Sequence, residues 1–166
     1  MSYLLALPVL FLTMMIQMVV INKLSLLYGY ADLMVLVLIV YGFHPRTKGV
    51  YVWAILAGLM FGLISKLPVL VPVFAFVLTT WGTQMIKRRI WQMPILAYIF
   101  LVIAATFIFQ IASLITLIVT GSPLPFIDSL NLIIIPSVLL NLILAIPVYY
   151  ILNDFLGIVF TEKDLL

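Results

Sequence analysis

The stretch PILAYIFLVIAATFIFQIASLITLIVT, Pro94 to Thr120, runs for 27 residues without an Asp, Glu, Lys, Arg or His. A helix rises about 1.5 Å per residue, so about 20 apolar residues cross the roughly 30 Å hydrocarbon core of a bilayer. This run is long enough, and it carries no charge along its whole length. Working outward from it, five more runs carry the same character: 3–21, 31–43, 50–64, 69–86 and 130–152. The second is centred on Leu33 to Phe43. Gly29 and Asp32 interrupt the apolar stretch that opens at Leu24, which predicts a short tilted helix entered by an irregular segment packed against protein.

Breakers and charges fall between the runs, at Asn22-Lys23, His44-Pro45-Arg46, Lys66-Leu67-Pro68, Lys87-Arg88-Arg89 and Gly121 to Pro125. The expected fold is therefore an all-α integral membrane protein, a six-transmembrane-helix bundle forming a single domain over 1–166. Of the 166 residues, 67% are hydrophobic and 8% charged, and the mean hydropathy is +1.40. A soluble domain carries about 25% charged residues, so lipid must cover most of this surface. The first run begins at Tyr3 with no basic segment before it and no small-residue cleavage pattern before Asn22, so it is expected to remain as a span.

Orientation follows from the Lys and Arg residues of alternate loops, because positive loops stay cytoplasmic. Arg46, Lys48, Lys87, Arg88 and Arg89 lie in one set, and only Lys23 and Lys66 in the other. Both termini are predicted to be cytoplasmic. The net charge of +3 gathers on no single face, which argues against a nucleic-acid partner. The triplet Lys87 to Arg89 beside Trp91 also suits contact with anionic lipid.

Catalysis needs a nucleophile with a base, or a metal site. The chain has no cysteine and a single histidine, His44, in a loop beside Pro45. No P-loop, zinc motif or phosphate cradle is present, so no cofactor and no enzymatic activity are expected. A proton-coupled transporter should carry an ionisable group in mid-span. The nearest is Asp32, whose place at the start of the second run predicts a helix cap at the membrane interface.

The spans hold uncharged polar and small residues at helical spacing, the usual means of joining helices in lipid. Ala54, Gly58 and Gly62 recur every four residues on the third run, a smooth face that must meet a helix of this chain or of a partner. On the sixth, Ser137, Asn141, Ala145 and Tyr149 are each four apart, bracketed by Pro136 and Pro147, which free backbone carbonyls one turn earlier. Thr106, Gln110 and Ser113 on the fifth run, Thr80 and Gln84 on the fourth, and Thr13 and Gln17 on the first form similar ridges. A polar network inside the bundle is predicted, serving to join helices more than to line a ligand cavity. Tyr3, Tyr41, Tyr51, Trp53 and Trp91, near run ends, read as interfacial anchors.

Three stretches resemble the MreD family, the rod shape-determining membrane proteins of bacteria, over nearly the whole chain. They are Ala31-Asp32-Leu33 leading to Tyr41-Gly42-Phe43 and then Pro45-Arg46; the third-run segment Ala54 to Leu63 with Gly58 and Gly62; and Pro136-Ser137 through Asn141 and Ala145 to Pro147. The last is the most specific. Members usually carry an Asp after the third-span glycines, where this chain has Ser65 and Lys66. The resemblance implies a non-enzymatic subunit of the cytoplasmic (inner) membrane that binds the single transmembrane helix of MreC. Through MreC it implies association with RodA and its class B penicillin-binding protein, and indirectly with MreB. The glycine stripe or the Asn141 face is then the expected partner contact. The alternative is a substrate-capturing S-component of an energy-coupling-factor vitamin transporter, also a six-helix bundle. That family usually has an Ala-xxx-Ala stripe on its first helix, where this chain has only Ala6.

Overall fold

The computed structural model describes residues 2–19, 23, 26–45, 47–65, 67–89, 94–121 and 125–159. Asn22, Arg46, Lys66, Trp91, residues 122–124 and the side chain of Tyr3, all used in the sequence reading, lie outside what it describes. Among the described residues the regular structure is helical: α1 (Ser2–Val19), α2 (Leu33–Phe43), α3 (Val50–Ile64), α4 (Leu70–Lys87), α5 (Pro94–Val119), α6 (Phe126–Ser129) and α7 (Ile135–Val159), with α6 and α7 joined by a π-helical turn, Leu130–Ile134. Three helices are long and apolar enough to cross a membrane: Leu70–Lys87, Ile95–Val119 and the continuous Ile127–Val159.

That last helix starts earlier and ends later than the predicted 130–152. Asp128 stands in the first turn of α6, where a negative charge favours the helix start. At the far end Asn153 and Asp154 do not stop α7, because Leu156 one turn on is still drawn into the core.

The organising element is α2. Every residue from Leu33 to Gly42 is buried, and the helix touches α1, α3, α4, α5 and α7. A helix that is apolar all round belongs at the centre of a bundle, and here the other helices wrap it. Its 11 residues reach only about 16 Å, half of a bilayer core.

The glycine stripe of α3 faces inward. A β-carbon on Gly58 would lie 2.5 Å from Val73 Cα, and one on Gly62 would lie 2.8 Å from Val69 Cα. α3 and α4 thus meet backbone to backbone, and Ala54 beside them is fully buried. The stripe is filled by this chain's own helix, one of the two packings that the sequence left open, and so does not make the partner contact that the resemblance implied. An aromatic cluster, Phe61, Phe76 and Phe109, extends the contact to α5, with ring centroids 5.5–5.8 Å apart.

Two of the expected interfacial anchors are also interior. Tyr41 and Trp53 are each 1% exposed and stack with centroids 3.8 Å apart, because the short 44–49 connection brings the end of α2 against the start of α3. Tyr41 donates its hydroxyl hydrogen to the carbonyl of Lys48 at 2.9 Å. Tyr51 does remain exposed.

Candidate functional site

From Leu26 to Asp32 the chain is not helical, and each of its buried backbone groups needs a partner where packed side chains offer no water. Leu26 and Gly29 exchange both backbone hydrogen bonds across a tight turn, with Leu27 at φ 56°. Gly29 then lies flat against the long helix: a β-carbon there would sit 2.7 Å from both Pro136 Cβ and Ser137 N. Pro136 has no N–H to give to the carbonyl of Leu132 one turn earlier. The Tyr28 N–H takes its place, at 3.1 Å. The freed carbonyl predicted from Pro136 is therefore satisfied by the backbone of another segment.

The next four residues are held by side chains from α1 and α7, which α5 braces in turn. Ser137 of α7 accepts from Tyr30 N–H at 3.1 Å and from Gln110 Nε2 of α5 at 3.0 Å. Gln17 of α1 clamps the chain with both ends of its amide, donating to the Ala31 carbonyl at 2.6 Å and accepting from Leu33 N–H at 2.7 Å. Asn141 of α7 accepts from Asp32 N–H at 2.7 Å and donates to Thr106 Oγ1 of α5 at 2.8 Å. Thr106 in turn donates to the Val102 carbonyl. Asp32 itself caps α2, accepting from Val35 N–H at 3.3 Å.

The cap is present as predicted, but its setting is not interfacial. Asp32 is 4% exposed and is bonded to Asn141, near the middle of Ile127–Val159. Asn141 is bonded to Thr106, midway along α5. The carboxyl group therefore lies level with the centres of the two longest helices, and its Oδ2 has no hydrogen-bond partner. An ionisable side chain at that depth is a feature the sequence reading had placed at the membrane edge.

Five of the predicted polar residues thus form one knot: Gln17, Ser137 and Asn141 bond to a short piece of backbone, and Gln110 and Thr106 bond to Ser137 and Asn141. Others do not join them. Ser113 bonds only to the Phe109 carbonyl of its own helix, and Thr80 Oγ1 is buried without a hydrogen-bond partner. Ala145 is buried below Asn141, whereas Pro147 is exposed and stands apart from the packed face assigned to it.

The other end of α2 is also closed from outside. Its last carbonyls have no intrahelical partner. Gln84 Nε2 of α4 donates to the Gly42 carbonyl at 2.9 Å. Lys87 Nζ donates to the same oxygen at 3.0 Å and to the His44 carbonyl at 2.8 Å. A cation at a helix C-terminus complements the partial negative charge gathered there. Lys87 is therefore a cap turned inward, not one more charge of a solvated basic loop. Lys48, Arg88 and Arg89 are exposed. Lys87→Met, which keeps the stem and removes the ammonium, is expected to cost about 1–2 kcal/mol, read as an earlier midpoint in detergent-induced unfolding. Gln84 should hold Gly42 in part.

Beside the polar knot lies a half-open cavity of about 520 Å³. Tyr30, Gln17 and Gln110 of the knot line it on one side. Apolar side chains such as Met14, Met18, Phe61, Leu114, Leu117 and Ile134 make up most of the rest, together with Ser65, Leu67 and Ser129. The cavity begins where α2 stops, because a half-length central helix leaves the other half of its place unfilled.

No protein-family model, curated protein or solved structure matches this chain. Its geometry defines a class: an all-helical protein with three helices able to cross a membrane, wrapped round a half-length central helix.

Proposed function

We propose that this chain is a multi-pass protein of the bacterial cytoplasmic membrane, crossing it six times with both termini inside, and that it serves as an MreD-like non-enzymatic subunit of the cell-elongation machinery. The observation that carries the reading is the contact between two stretches on which the resemblance rests. Ala31-Asp32-Leu33 and Pro136 to Asn141, more than 100 positions apart in sequence, are hydrogen-bonded to each other through Asp32 N–H and Asn141 Oδ1. Tyr30 and Ser137 add a second bond. A motif pair kept for one structural purpose fits a shared fold better than two chance likenesses.

The exposed cations Lys48, Arg88 and Arg89 supply the positive, cytoplasmic side. On this reading α2 crosses only half the bilayer, and the 26–32 segment completes the passage under the cover of α1, α5 and α7. Gly58, Gly62 and Asn141 are occupied within the chain, so the MreC helix meets the outer apolar surface instead.

Affinity purification of the full chain in mild detergent, with the co-purifying proteins identified, tests the proposal. MreC, RodA and a class B penicillin-binding protein are the expected companions. Recovery of a paired ATPase with its coupling subunit, and none of these, overturns the proposal in favour of a vitamin-capturing S-component.

A further inference from the structure

Asp32 is bonded through only half of its carboxyl group. Its Oδ1 accepts from Val35 N–H at 3.3 Å, while its Oδ2 is buried and has no hydrogen-bond partner. A carboxylate shut away from water is tolerated where a counter-charge or a set of donors faces it, and otherwise it takes up a proton. Among the described residues Asp32 faces neither. Gln17 of α1 and Asn141 of α7 direct their amides to the backbone of residues 31–33 and to Thr106, and Thr106 of α5 gives its hydrogen to the Val102 carbonyl. The phenol of Tyr30, two residues earlier, is within electrostatic reach, but it is itself an acid and brings no positive charge. Helices α1, α3 and α5 carry no charged residue. Lys87 of α4 is engaged at the far end of α2, on the Gly42 and His44 carbonyls. Tyr98 of α5 and Tyr149 of α7 pair with each other, two turns beyond Asn141.

We propose that Asp32 is a proton-binding site: the folded protein holds its carboxyl as the neutral acid, with the hydrogen on Oδ2, and loss of that proton loosens residues 26–32 from the long helix. The neutral acid still caps α2, because Oδ1 remains an acceptor for Val35 N–H. A carboxylate formed in the same place must draw water or donors to Oδ2, and the donors at hand are those that hold the segment to Gln17, Ser137 and Asn141. The proton has a route, since the half-open cavity is lined by Gln17 and Tyr30, which flank Asp32. The site depends on the buried knot and not on which larger assembly the protein serves.

The test is infrared spectroscopy of the full chain in dodecyl maltoside micelles, joined to hydrogen–deuterium exchange read by mass spectrometry. At about pH 6 exposed carboxyls have lost their protons, so a carboxylic-acid C=O band is expected from Asp32. Asp32→Asn should lose it, and Asp154→Asn, at an exposed position, should keep it. Raising the pH to about 9 should remove the band, and the protection of residues 26–33, corrected for intrinsic exchange, should then fall by about tenfold or more. In Asp32→Asn protection should not change. A proton held when folded and released on unfolding also stabilises fully below about pH 4, and that stability is lost as pH rises until the folded carboxyl ionises. Within that window the unfolding constant should rise about tenfold per pH unit relative to Asp32→Asn. Lys66→Met, which removes a cation outside the described residues, should leave the band and this slope as they are. If Asp32→Asn does not fold, the wild type decides, because its band must vanish on thermal unfolding at the same pH. The proposal is overturned if no such band is present at about pH 6, if it survives in folded Asp32→Asn or after unfolding, or if Lys66→Met alters it. Protection of residues 26–33 that stays unchanged to about pH 9 overturns it as well.

Discussion

Gly58→Leu should prevent α3 from closing on α4. The β-carbon alone would lie 2.5 Å from Val73 Cα and 2.9 Å from Val73 N, and a backbone cannot step aside as a flexible side-chain end can. Gly58→Ala is expected to cost about 1–3 kcal/mol, and Gly58→Leu more than about 3 kcal/mol. The measurement is equilibrium unfolding in mixed micelles, with protease resistance as a second readout. Gly62→Ala should be milder, because its nearest obstacle, Val69 Cα, is 2.8 Å away. Gly157→Ala is the control: nothing lies within 4 Å of the added carbon, and inside α7 the change should stabilise by about 0.5–1 kcal/mol. A Gly58→Leu protein that fails to bind a partner would thus report a folding defect.

Asn141→Leu should be the most damaging change in the polar knot. It removes the acceptor of Asp32 N–H and the donor to Thr106 while nearly keeping the volume. One orphaned buried polar group costs about 1–3 kcal/mol; here the Asp32 N–H is orphaned, and Thr106 loses a donor while keeping its bond to the Val102 carbonyl, so about 2–3 kcal/mol in total is expected. Ser113→Ala, on the same polar ridge by sequence, should cost less than about 1 kcal/mol because its hydroxyl serves only its own helix. Combining Asn141→Leu with Thr106→Val separates the two contributions, since the variants share one bond and should not add. Additive effects would place the cost of Asn141→Leu elsewhere than in this bond.

The helices were largely legible because their signal is local. An uninterrupted apolar run is long or it is not, and Val50–Ile64 coincides with the run read from sequence. The polar residues were legible as faces: Ser137 and Asn141 share one, and Gln17 is the polar position at the end of a stripe with Ala6, Leu10 and Thr13. Their object was not. Helix-to-helix bonding was the expectation, and Gln110 with Ser137 and Asn141 with Thr106 do join α5 to α7, yet Gln17, Ser137 and Asn141 also hold the backbone of residues 30–33, and no spacing rule shows which segment will need partners.

The depth of Asp32 did leave a trace in the sequence. Only 11 residues separate it from His44, too few to cross a bilayer, so a six-span reading already requires one end of that helix to lie within the membrane. Lys87 was misread for a related reason. A charge beside Arg88 and Arg89 looks like part of a loop, and only the meeting of α4 with the end of α2 reveals the bare carbonyls it reaches. Tyr41 and Trp53 were read from their distance to run ends, which does not record that those ends stack on one another. Gly29 passed as a simple interruption, because the close approach that demands it comes from Pro136, 107 positions later.

The chain has no cysteine, so single cysteines can report which side each part faces and what is enclosed. Lys48→Cys, Arg88→Cys and Asp128→Cys each replace an exposed residue, and Val35→Cys replaces one that is 1% exposed in α2. With an impermeant maleimide added to sealed spheroplasts, Asp128→Cys should label at once. Lys48→Cys and Arg88→Cys should label only after the membrane is opened, and Val35→Cys only after denaturation. Labelling of Asp128→Cys and Lys48→Cys from the same side, or of Val35→Cys in the folded protein, would contradict a membrane bundle built round a buried half-length helix.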